Sequence, residues 1–90
     1  MNNLKKPSEN QIDSILSLFS DGQLQEALNA LNRLEKEYPS DSLLFNIRGA
    51  CYAGLGKLDL AIKSYHKAIE LKPDYAKAYY NLAGTQHELN

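Results

Sequence analysis

The chain has a single cysteine, almost no net charge and no long apolar run, and each shortage removes a class of function. Cys51 alone can form neither an intramolecular disulfide nor a cysteine-based metal cluster. It lies in Gly49-Ala50-Cys51-Tyr52-Ala53, where a small buried hydrophobe is expected rather than a reactive thiol. A net charge of −1 lacks the clustered excess of Lys and Arg that a phosphate backbone requires, so no nucleic-acid partner is expected. No stretch reaches the roughly 18 apolar residues of a membrane-spanning helix, so no membrane partner is expected either. Residues 1–10 carry Lys5 and Lys6 without a following apolar core, so no secretory leader is expected there. A cytoplasmic location is the default that remains.

Catalytic and metal chemistry is equally short of raw material. His66 and His87 have no second His or Cys at ligand spacing, so no metal or other cofactor is expected. Asp13, Asp21 and Glu26 form no recognisable acid–base pair, and no Ser–His–Asp context is present. Gly54-Leu55-Gly56 has neither the preceding strand nor the following Gly-Lys-Ser/Thr of a phosphate loop. Lys57, Lys63, Lys67 and Lys72 read as a solvated convex face. The chain is expected not to be an enzyme.

What is present is a repeat. Pro39 and Pro73 are 34 residues apart, and so are Gly22 and Gly56, Leu24 and Leu58, Ala27 and Ala61, and Leu18 and Tyr52. The apolar fraction of 43% provides enough surface to offset the entropy of ordering such a chain. Its 90 residues make one domain at most, of modest stability. Each repeat predicts two helices, A and then B. In the first, Ser8 caps a helix over Glu9–Ser20, with Gln11 completing a capping box. Asp21-Gly22 turns the chain, and Leu24, Ala27, Leu28, Leu31 and Leu34 line the next helix up to Pro39. In the second, helix A runs from about Leu43 to Gly54. Gly56 supplies the turn, and Leu58, Ala61, Ile62, Tyr65, Ala68 and Ile69 make one face of a helix that Pro73 stops. A fifth helix is predicted from about Tyr75 to Leu89 with Asp74 as its cap. The short connections make sequential helices antiparallel neighbours. Ala27 and Ala61 should sit where A and B cross, because only short side chains let helix axes approach to about 8–10 Å. Ala30 should lie toward the surface.

Residues 45–73 read Phe45-x-x-x-Gly49-x-x-Tyr52-x-x-x-Gly56-x-x-x-x-Ala61-x-x-x-Tyr65-x-x-Ala68-x-x-x-x-Pro73, and Ala76-Lys-Ala-Tyr-Tyr-Asn-Leu-Ala83 looks like the opening of another copy. This resembles the tetratricopeptide repeat family. The first repeat departs from the pattern at Gln11, Ile15 and Leu34, as terminal repeats do, and Arg48 stands in the second where an apolar residue is usual. The resemblance implies an all-α fold, a short right-handed solenoid of two hairpins plus one helix. Residues 1–7 would be a flexible N-terminus, 8–41 repeat one, 42–75 repeat two, and 76–90 a partial third repeat or cap.

The resemblance also implies a concave groove lined by the A helices, which binds a peptide, a partner protein or another copy. Carried over, the groove positions include Ile12, Leu16 and Phe19 from the first A helix and Asn46 from the second. From the third come Lys77, Tyr80 and Asn81. Asn46 and Lys77 are suited to a peptide backbone or carboxylate, and Tyr80 to stacking on a side chain. Ile12, Ile15, Leu16 and Phe19 form an apolar stripe that reads either as end packing against the following helix or as a patch for a partner helix. The family's carboxylate clamp needs Lys and Asn, then Asn, then Lys and Arg. Those places hold Ile12, Leu16, Ile47, Lys77 and Asn81, so only Lys77 matches. A homodimer through the last helix is a further expectation, because no following B helix covers Tyr79, Leu82, Ala83 and Gln86. Two other readings stay open: the front module of a larger glycosyltransferase, sulfotransferase or methyltransferase, and a spacer without a ligand.

Overall fold

A computed structural model describes residues 6–89. Most of the flexible stretch expected at 1–7 lies outside the described residues. Five helices follow in order: α1 (Glu9–Ser20), α2 (Leu24–Glu37), α3 (Ser42–Gly54), α4 (Leu58–Leu71) and α5 (Ala76–Leu89). There is no strand among the described residues. Each helix packs on the next, and α5 also reaches back to α3, as stacking of A helices requires.

The local chemistry explains the boundaries. The Ser8 hydroxyl accepts from the Gln11 N–H at 3.1 Å while the Gln11 side chain accepts from the Ser8 N–H at 2.8 Å, so α1 begins with a reciprocal cap. The two intrahairpin turns are one structure repeated. Gly22 and Gly56 both have φ +79°, a conformation that a Cβ disfavours. The Gln23 N–H donates to the Leu18 carbonyl at 2.9 Å, and 34 residues later the Lys57 N–H donates to the Tyr52 carbonyl at 2.9 Å. This is the glycine-ended helix closure in which the chain past the glycine satisfies an orphan carbonyl.

The last helix starts one residue later than predicted. The Tyr75 N–H donates to the Lys72 carbonyl at 3.1 Å, which consumes Asp74 inside a turn. The Tyr75 carbonyl then accepts from Ala78 and Tyr79, so Tyr75, not Asp74, occupies the capping position.

Two clusters make the core. Ile15, Ala27, Leu28, Leu31, Leu34, Leu44, Ile47 and Cys51 fill the space between the first hairpin and α3. Ala61, Tyr65 and Leu82 fill that between the second hairpin and α5. Tyr52 touches both. Ala27 and Ala61 are fully buried, as the crossing argument requires. Gly49 is needed for the same reason: a Cβ there would stand 2.5 Å from the Tyr65 ring. Ala30 is half-buried against the first cluster rather than at the surface. Leu82 departs from its expected place on the outer face of α5. It is only 8% exposed, because it points back into α4.

Candidate interaction groove

The equivalent positions of α1, α3 and α5 lie on one side of the stack, since every second helix of an antiparallel stack runs the same way. On α3 this side carries Leu43, Asn46, Ala50 and Ala53. Leu43 is exposed and the alanines are half-buried, which leaves a shallow floor. On α5 the same side carries Lys77, Tyr80, Asn81, Gly84 and His87. Tyr80 is 80% exposed, the most open of the large apolar side chains among the described residues. Lys77 is exposed as well.

The structure joins two of the predicted residues directly. The Asn81 Nδ2 donates to Asn46 Oδ1 at 3.2 Å, tying α5 to α3 across the floor. Asn46 is therefore buried at 5% exposure, where open groove chemistry was expected, and Asn81 is half-buried. Tyr75 closes over the same place. Burial pushes its phenol above the ordinary value of 10.0, the Asn46 side chain offsets part of that, and the Asp41 charge adds to it. The Lys72 ammonium lies 4.9 Å from the Tyr75 ring. Asn81 still has hydrogen-bonding capacity that the Asn46 contact does not use.

The apolar stripe of α1 is divided. Ile15 points inward and is core, and Ile12 and Phe19 lie half-buried against that core. Leu16 alone is exposed, at 41%. Packing against α2 thus accounts for most of the stripe, and Leu16 is the residue left in the open. Ile47 is buried, so it has no part in the groove surface.

One constellation is foreshadowed in the sequence only by the charge of Arg48 at a usually apolar position. On the side of α3 away from the groove, Arg48 is buried. Its guanidinium makes an ion pair with Glu35 and donates to Asn32 Oδ1 at 2.8 Å, both on α2. Phe45 lies beneath it at 5.9 Å. Arg48 was legible as a charge at an apolar position. Its partners lie 13 and 16 residues earlier, on another helix, where no helical spacing connects them. Beside it, Cys51 is fully buried, and burial pushes its thiol above the ordinary value of 9.0, with the Arg48 charge pulling the other way.

Surface depressions are shallow. One bounded by Gln11, Ile15, Ala30 and Leu34 measures about 320 Å³. Among the described residues, no group of three His, Cys, Asp or Glu side chains could hold a metal ion, and no helix is long and apolar enough to cross a membrane.

Two family models match, the tetratricopeptide repeat over residues 14–41 and the TPR repeat over residues 49–90. The chain belongs to the tetratricopeptide repeat family. It is 32% identical over 68 residues to a peroxisomal targeting signal receptor of Candida glabrata, covering 76% of this chain and 12% of the receptor. It is 30% identical over 69 residues to the Hsp70-Hsp90 organizing protein of Triticum aestivum, covering 77% of this chain and 12% of that protein. The chain thus spans only a small part of these relatives' length. The TPR2B domain of yeast Sti1, solved as its pHsp70 complex, superposes with a TM-score of 0.84 at 27% identity. The match covers 90% of this chain and 65% of that one.

Proposed function

We propose that the chain is a non-catalytic interaction module that takes a protein or peptide segment on the side made by α1, α3 and α5. The observation that carries this is the run of exposed apolar side chains on that side, Leu16, Leu43 and Tyr80, flanking the Asn46–Asn81 pair. Residues 8–41 and 42–75 then act as two repeats, and 76–90 as the opening of a third or a cap. The similar Sti1 domain, solved as a complex with pHsp70, and the similar peroxisomal targeting signal receptor support the class of activity. The ligand differs in chemistry from a chain-end carboxylate, because four of the five clamp positions hold Ile12, Leu16, Ile47 and Asn81. An apolar, chain-internal segment fits the floor better. A cytoplasmic location is part of the same proposal.

The test is a peptide array in which every sequence is presented with a free and an amidated C-terminus. Binding should be indifferent to amidation. Leu16→Glu and Tyr80→Ala should each weaken it about tenfold or more, the loss expected for a central apolar anchor. Binding abolished by amidation, or unchanged in both variants, would overturn the proposal.

A second reading is self-association through α5, favoured by the outward Tyr79, which is 49% exposed, together with exposed Ala83 and Gln86. One such patch can pair with itself about a two-fold axis. Sedimentation velocity across a concentration series should then show a dimer that Tyr79→Glu abolishes. A monomer at high micromolar concentration would remove this reading.

A further inference from the structure

Helix α3 carries polar fasteners on two opposite sides. On the groove side, Asn46 accepts from Asn81 of α5. Two residues on, about 200° around the helix, Arg48 binds Glu35 and Asn32 of α2. The residues that α3 and α2 bring to their shared core, Leu44, Ile47 and Cys51 with Ala27 and the buried leucines of α2, are apolar. Such contacts are non-directional and tolerate small rotations and slides. The guanidinium is not so tolerant, because its planar fork must meet a carboxylate and an amide oxygen at once.

Stability alone does not account for a charge at this place. Arg48 is buried, and its Nε has no hydrogen-bond partner among the described residues. Burying an ion pair removes two charges from water, and an apolar side chain of similar volume is commonly as stable or more so. What the pair adds is direction. From this geometry we infer that Arg48 is a positioning residue: with Glu35 and Asn32 it sets the rotation of α3 against the first hairpin. It thereby sets how the groove residues of α1 stand relative to those of α3. This inference deepens the groove reading and rests on it for its functional meaning, but its test needs no ligand.

The test places spin labels at exposed Ser17 on α1 and Lys63 on α4 in a Cys51→Ala background and measures their distance distribution. The parent should give one narrow distribution. Arg48→Leu should melt cooperatively within about 5 °C of the parent, or higher, while its distribution broadens or shifts. Arg48→Lys, a point charge that cannot reach both partners at once, should fall between. If Arg48→Leu fails to melt cooperatively, the Asn32→Ala and Glu35→Gln variants carry the same test, since each removes one fastener and leaves the apolar contacts. A distribution unchanged in centre and width in a folded Arg48→Leu, or in both fallback variants, overturns the inference. Because no ligand is present, a failure here is distinct from a failure to bind peptide.

Discussion

At the residue scale, the tightest places are those where one helix meets another through the smallest side chains. Ala61 is fully buried at the crossing of α3 and α4. Adding three heavy atoms there should lower stability by about 1–3 kcal/mol. Ala30→Leu should lower it by less, because Ala30 is half-buried beside an open depression and Leu is a good helix former. Urea melts of the two variants give the comparison, and equal midpoints would contradict the observed packing. Two buried acids, Cys51 and Tyr65, and the half-buried Tyr75 also make the fold sensitive to alkali. Burial raises the Cys51 thiol above 9.0 and the Tyr65 and Tyr75 phenols above 10.0. Each group stays protonated in the folded chain at a pH where the unfolded chain has begun to ionise. The stability they contribute is therefore complete below pH 9, the lowest ordinary value among the three, and is lost as pH rises through the raised values. Melts at pH 8 and pH 10.5 should show this drop, and Cys51→Ala should lessen it.

At the scale of the element, two glycines of the same type have opposite roles. Gly56 ends the hairpin turn at φ +79°, so Gly56→Ala should destabilise by about 1 kcal/mol despite open space around it. Gly84 lies inside α5 with no atom in the way of a Cβ. Gly84→Ala should stabilise by about 0.5–1 kcal/mol, because a helix interior favours Ala. Thermal melts decide both signs, and a destabilised Gly84→Ala would mean that something closes on that face of α5. The helices themselves were legible from the chain because their signals are local. Capping pairs, 3.6-residue periodicity and turn glycines place all five helices to within a residue. The fifth starts one residue late because the turn from Lys72 to Tyr75 precedes it.

For the whole molecule, the stack is elongated, 47 × 29 × 18 Å, and each helix rests mainly on its sequence neighbours. Stability in such a stack is a sum of units and nearest-neighbour interfaces. Amide exchange should therefore be slower in α2, α3 and α4, which are covered on both sides, than in α1 and α5 at the ends. Uniform protection along the chain would point to a second layer of contacts covering the ends.

The sequence by itself determined the helices, the antiparallel hairpins and the small residues at their crossings. Each of these depends on spacing within one helix or on the single 34-residue period. Only the tertiary structure decided which side chains on a given helix remain available to a partner. Leu16 is open while Ile12 and Phe19 are half-buried, and Asn46 is spent on Asn81. It also decided that Arg48 would find Glu35 and Asn32. The physical reason is that exposure and pairing depend on the angle at which two helices meet. That angle is set by contacts between residues far apart in the chain, which no periodicity records.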